Sequence, residues 1–469
     1  MEADLVIRNG TIVPGDGTMV QGLGIAVKGD RIAAICMQDE LPPARRMIDA
    51  KGRHVVPGLI DPHVHTRAPG YEYKEDFETC SAAAAAGGIT TFLAMFNVKP
   101  PLISEENFRF FIDYARQHSM VNFNAHGLVI ETNLDEIPKM AAAGISSIKF
   151  LIGYKFDISG QGGRPDVKGL ACPSDGKMLD AMRRIAETRV PLSCHAENED
   201  IIHHLQAVLK AQGRNDPLAH LLARPNVAEE EAISRLIIYT RVCGNKLHIL
   251  HLPGKEGVRL VREAQQEGLS VTAETCPQYL LMTHEEHLAK LGTVAKINPP
   301  IRSQADQDAL WEGIHRGGVD VIGTDHSPHT DEEKMTDRPQ ADIWKAMAGF
   351  VGVETSIPLM LTEVNKGRLS LAKMVELCST NVARLFGLYP DRGLLRVGGA
   401  ADITILDLAK EGGIDRRKLH SKTTVTPFDG WRVKGLPTHT LVNGTVVYED
   451  GKVLGKPGDG RFVSAHFAN

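Results

Sequence analysis

A chain of 469 residues, 42% hydrophobic and 24% charged, is long enough for a barrel-sized catalytic unit and a smaller one beside it. A net charge of −5, with no Lys/Arg run interleaved with aromatics, excludes a nucleic-acid surface. No run of ~20 apolar residues is present, and the opening MEADLVIRNG has acids where a signal peptide needs bases, so the expectation is a cytoplasmic protein with no membrane partner.

Leu5–Val13 and Gly24–Ile32 alternate apolar and polar residues around Asn9-Gly10 and Gly29-Asp30, a pattern that predicts hairpins. Eight apolar, β-rich runs follow: Val55–His63, Thr90–Asn97, Asn122–Val129, Ser146–Gly153, Val190–Glu197, Lys246–Leu252, Val271–Gln278 and Asp320–Pro328. Amphipathic stretches such as Glu229–Cys243 and Glu256–Glu267 lie between them, which predicts βα units and a (β/α)8 TIM barrel over residues 57–396. Ala401–Leu406 and His439–Tyr448 alternate again, the second around Asn443-Gly444. Neither terminus has enough strand to cover its own apolar face, so residues 1–56 and 397–469 are expected to form one small β-sandwich. The Gly-rich Ile158–Gly169 is a loop and a candidate lid.

Catalytic groups of such a barrel sit at the C-terminal ends of its strands. Strand one ends in PHVH, whose His63 and His65 share a face because strand side chains alternate. Strand four carries Lys149, strands five and six end in His195 and His251, and strand eight ends in Asp325. Histidine and carboxylate are zinc-type ligands. Any one of these residues reads equally well as ordinary packing, but five of eight strands bringing such groups to one rim points to a metal site. The seven cysteines (Cys36, Cys80, Cys172, Cys194, Cys243, Cys276 and Cys378) are scattered without a CxxC pair, which fits a reducing compartment.

Taken together, PGLIDPHVHTR, GGITTFLAMFN, IKFLIGY, CHAEN, HILHL, ETCPQYL, KINPPIR and GTDHSPHT resemble the cyclic amidohydrolases of the dihydroorotase, hydantoinase and allantoinase group, over nearly the whole chain. The resemblance implies two divalent ions, usually zinc. His63, His65 and Asp325 would hold one, His195 and His251 the other, and Lys149 would bridge them as the carbamate formed with carbon dioxide. A shared hydroxide would attack the ring amide, with Asp325 moving the proton. It also implies that Arg67, Asn97 and His329 receive a substrate carboxylate, as in dihydroorotases, and that Tyr154 stabilises the oxyanion, as in hydantoinases. Asn298, in the NPPIR segment, is a further substrate-binding expectation.

The preferred substrate is thus a dihydroorotate-like cyclic amide. A hydantoinase, dihydropyrimidinase or allantoinase is the alternative, because Phe96 and Pro253 depart from the dihydroorotase pattern. Glu197, close to His195, raises a single-metal deaminase, against which Lys149 stands. A scaffold that had lost its metals would have lost ligands too. Homo-oligomerisation is compatible with the sequence and not specified by it.

Overall fold

The computed structural model describes residues 2–154 and 170–467. Six strands precede the barrel: β1 (Ala3–Arg8), β2 (Thr11–Ile12), β3 (Leu23–Lys28), β4 (Arg31–Met37), β5 (Ala44–Asp49) and β6 (His54–Pro57). The barrel strands are β7 (Leu59–Val64), β8 (Ile89–Ala94), β9 (Asn122–Leu128), β10 (Ser147–Leu151), β11 (Leu192–His195), β12 (Leu247–Ile249), β13 (Val271–Thr275) and β14 (Val321–Ile322). They pair in parallel in chain order. Closure comes from a parallel bridge between Val64 and His326 and from the His65 N–H donating to the His326 carbonyl at 2.8 Å. Asp61 reinforces the seam. One of its carboxylate oxygens accepts from the Thr324 N–H at 3.1 Å and the other from the Thr324 hydroxyl at 2.6 Å.

Between strands, helices turn an apolar stripe inward. Helix Asn226–Cys243 buries Ala232, Ile233, Leu236 and Ile237 at helical spacing and stops at Gly244, whose φ of 73° ends it in the left-handed region. Helix Lys255–Gln266 buries Val258, Val261 and Ala264 and leaves its charges outside.

The chain ends in β15 (Ile403–Gly413), β16 (Arg432–Val442), β17 (Thr445–Glu449) and β18 (Lys452–Val453). The two termini meet: β15 pairs with β6, and β2 completes that six-stranded sheet, while β4, β3, β1 and β5 form a second sheet. Leu5, Ile7, Ile25 and Val27 share a core with Ile403, Ile405 and Leu441.

Three expectations change. Val55–His63 is two strands, because the chain leaves the terminal sheet at Pro57 and enters the barrel at Leu59. A side chain at Gly58 would stand 2.1 Å from the Thr90 hydroxyl oxygen, so only glycine fits the crossing. Asn9-Gly10 closes no hairpin, since β1 and β2 part into different sheets, whereas Gly29-Asp30 and Asn443-Gly444 do close theirs. The barrel strands also stop earlier than their apolar runs. Pro277, for instance, opens a short helix, Pro277–Leu281, where the run read on as strand.

Candidate metal centre

At the first half of the rim, His63 and His65 point together as their spacing required. Their Nε2 atoms stand 3.3 and 3.2 Å from Oδ1 of Asp325, and the three ligand atoms lie within 4.8 Å of one another. Asp325 follows β14 with φ 49°, a left-handed conformation unusual for a non-glycine residue that turns its carboxylate back over the mouth. Each imidazole is fixed from behind: His63 Nδ1 donates to Glu274 at 2.8 Å and His65 Nδ1 donates to Asn97 Oδ1 at 2.7 Å. These bonds leave both Nε2 lone pairs facing the cavity. His63 Nε2 is buried with no hydrogen-bond partner among the described residues, as a waiting ligand atom would be.

The second half uses the opposite ring atom. His195 Nε2 donates to Glu197 at 2.8 Å, which turns its Nδ1 inward to lie 2.9 Å from His251 Nε2. Arg224 lies against Glu197. Burial would raise the Glu197 pKa, but Arg224 and His195 outweigh it and hold the carboxyl well below its ordinary value. His251 sits just beyond β12 at φ 37°. Lys149 reaches the same floor from β10, its Nζ 3.2 Å from the Met95 sulfur and 5.4 Å above the Phe96 ring.

Burial pushes all four imidazoles below their ordinary pKa, with Lys149, Arg67 and the neighbouring imidazoles adding to it. Glu197 opposes this at His195. Neutral imidazole is the form that binds a cation. The His-His-Asp cluster therefore fits a divalent metal ion in donor type, direction and protonation.

These groups floor a cavity walled by Phe96, Leu151, Ile297 and Ala348. Asn97, Asn298 and Ser327 also line it. Arg67 is buried behind Ser327: one Nη2 donates to the Ser327 hydroxyl at 2.7 Å and stands 3.3 Å from His329 Nε2. Lys74 Nζ is 3.2 Å from the other His329 nitrogen and pairs with Glu333 at 2.8 Å. The structure thus gathers His63, His65, Lys149, His195, His251, Asp325, Asn97 and Asn298 at one cavity and places Arg67 and His329 one layer behind it. Tyr154 ends the short turn Ile152–Tyr154. Its side chain, like the Ile158–Gly169 loop, lies outside the described residues.

Glu274, Asp61, Met95 and Lys74 were not singled out from the sequence. Glu274 does open the motif ETCPQYL, but nothing local distinguishes a carboxylate that orients a ligand from one that caps a turn.

Residues 54–447 match the Amidohydrolase family model. The chain belongs to the amidohydrolase family. Among its relatives, this amidohydrolase is 38% identical to an L-hydantoinase of Paenarthrobacter aurescens over 464 residues, 98% of each chain. It is 37% identical to a dihydroorotase of Geobacter sp. (strain M21) over 410 residues, 86% of this chain and 89% of the relative. The solved L-hydantoinase (dihydropyrimidinase) from Arthrobacter aurescens superimposes with a TM-score of 0.92 at 38% identity, over 98% of this chain and 100% of that one. Among the described residues, no helix is long and apolar enough to cross a membrane.

Proposed function

We propose that this amidohydrolase opens a cyclic amide or ureide by hydrolysing a ring C–N bond on two zinc-type cations. The observation that carries the reading is the convergence of two imidazole pairs, Asp325 and Lys149 on the floor of one cavity. His63 and His65 (through Nε2) and Asp325 would hold one cation. His195 (through Nδ1) and His251 (through Nε2) would hold the other. Lys149, whose amine would add to carbon dioxide with release of a proton, would offer the cations an anionic carbamate in place of a repelling ammonium. Bound there, two divalent ions supply Lewis acidity and bring the pKa of water towards neutrality. Asp325 accepts the proton of the attacking water and returns it to the leaving ring nitrogen. The apolar walls keep bulk water from the reacting atoms. Residues 57–396 make up the catalytic unit in this assignment, with 1–56 and 397–469 as the β unit. Among the described residues no disulfide joins the seven cysteines, which suits the cytoplasm.

For the substrate, the Arg67 guanidinium behind Ser327 favours a ring bearing a carboxylate, of the dihydroorotate kind, while Lys74 and His329 beside it pair with Glu333. The second reading is a neutral hydantoin or dihydropyrimidine. The apolar wall and the burial of Arg67 behind Ser327 support it, as does the full-length similarity to an L-hydantoinase. Ring opening of dihydroorotate, dihydrouracil, substituted hydantoins and allantoin, measured in the wild type and in Arg67→Gln, separates the two. A carboxylate held by Arg67 predicts a loss of tenfold or more in kcat/KM on dihydroorotate alone, at ~1.4 kcal/mol per tenfold. Equal losses on charged and neutral rings make Arg67 structural and favour the hydantoin.

A further inference from the structure

Glu274 stands at the rim end of β13, a strand that contributes no candidate ligand. Its carboxylate is fully buried. A single oxygen, Oε1, accepts from His63 Nδ1 at 2.8 Å and from the His251 backbone N–H at 3.2 Å. These residues belong to opposite halves of the centre. The other oxygen has no hydrogen-bond partner among the described residues, His248 Nε2 being 3.9 Å away. No lysine or arginine among the described residues pairs with this carboxylate. Even the neighbouring strand makes way for it: a side chain at Gly323 would begin 2.6 Å from the carboxyl carbon and 2.7 Å from Oε2. A buried carboxylate without a cationic side chain is costly unless a positive charge stands nearby.

We propose that Glu274 is a positioning residue for both halves of the metal centre at once, and that its negative charge is balanced by the bound cations. The proposal rests on the two-cation reading above. Through His63, the carboxylate fixes the tautomer that presents Nε2 and raises the basicity of that nitrogen. Through the His251 N–H, it holds a residue at φ 37°, a conformation a non-glycine residue keeps only when its surroundings impose it. Moving one oxygen therefore disturbs one ligand in each half. Glu197 is the built-in contrast, since it touches only His195 and is already balanced by Arg224.

The test is Zn²⁺ titration of the full chain after chelation, with bound metal read by equilibrium dialysis and elemental analysis, for wild type, Glu274→Ala, Glu274→Gln and Glu197→Gln. Orienting partners of this kind contribute ~10–100-fold in metal affinity. Glu274→Ala is expected to weaken both zinc sites by that order, and Glu274→Gln, which keeps an acceptor oxygen but no charge, to weaken both by less. Glu197→Gln is expected to weaken one site only. Cobalt(II) absorption gives a second readout, because both halves should change in Glu274→Ala. If Glu274→Ala fails to fold, Glu274→Gln decides. Loss confined to one site, or unchanged affinities in a folded variant, overturns the role of Glu274. A wild type that binds clearly fewer than about two ions per chain overturns the two-cation reading itself, and the coupling with it.

Discussion

Glu197 and Glu274 each accept a hydrogen bond from an imidazole of the centre, but only Glu197 has a guanidinium against it. The carboxylate behind His195 is therefore already paired within the protein. The half built on His63, His65 and Asp325 combines two carboxylates, Asp325 and Glu274, with no arginine or lysine ion pair to Glu274 among the described residues. One half is a preformed receptor. The other is an anionic cradle whose charge, in the proposed reading, a cation would balance. In the proposed ring opening Asp325 would exchange a proton while His195 and His251 would only hold, which gives the two halves a reason to differ in this way.

The most damaging way to break that comparison is to remove what the halves share. Lys149→Ala should abolish turnover and lower metal content in both halves, with partial recovery on adding short carboxylic acids. Full metal content and unchanged turnover would remove Lys149 from the bridge. Asp325→Asn touches only the anionic half. It should leave the fold intact while lowering kcat by ~10²–10⁴-fold, the span for a lost general acid–base group. Near-normal turnover with both metals bound would move proton transfer elsewhere.

Arg224→Ala attacks the other half through its counter-charge. It leaves Glu197 buried and unbalanced, which should cost about 3–5 kcal/mol of stability in urea unfolding. Restoring much of that loss with Glu197→Gln in the same chain would confirm the cause.

The smallest effect lies one layer out, at the cation group behind Ser327. Burial alone would raise the Glu333 pKa, but hydrogen bonds from His329 and Lys74 bring it down to about 2 from an ordinary 4.5. A carboxyl with a depressed folded-state pKa stabilises above its unfolded value and loses that contribution as pH falls. The advantage of wild type over Glu333→Gln should therefore hold above pH 4.5 and fade towards pH 2, as followed by Tm. A pH-independent difference would show that Glu333 acts by packing.

The barrel and its rim were legible because periodicity and strand-end position are local properties. His63 and His65 announce themselves by spacing, and Lys149, His195, His251 and Asp325 by where their apolar runs stop. Longer-range facts were not legible. Nothing in Val55–His63 says that the chain changes sheets at Gly58, since that follows from Thr90 and Asp402 packing against it. Asn9-Gly10 looks like any hairpin turn until β2 finds β6. Arg67 stands out two residues beyond His65, but its bond to Ser327 and its nearness to His329, 260 and 262 residues away, are encoded by no spacing. Glu274 escaped for the same reason: its partners are 211 and 23 residues away in the chain.

The seam between β7 and β14 has a consequence for biosynthesis. Asp61 and Thr324, which tie it, are 263 residues apart, and His63 and His65 meet Asp325 across nearly as long a stretch of chain. Bringing such distant segments together has an entropic cost that grows only slowly with length, but it cannot happen before the last strand leaves the ribosome. A nascent chain interrupted ahead of Val321 already holds His195, His251 and their Glu197–Arg224 support, and lacks Asp325. The His63, His65 and Asp325 cluster is therefore the last of these groups to be assembled, so a product truncated there lacks the carboxylate that completes it.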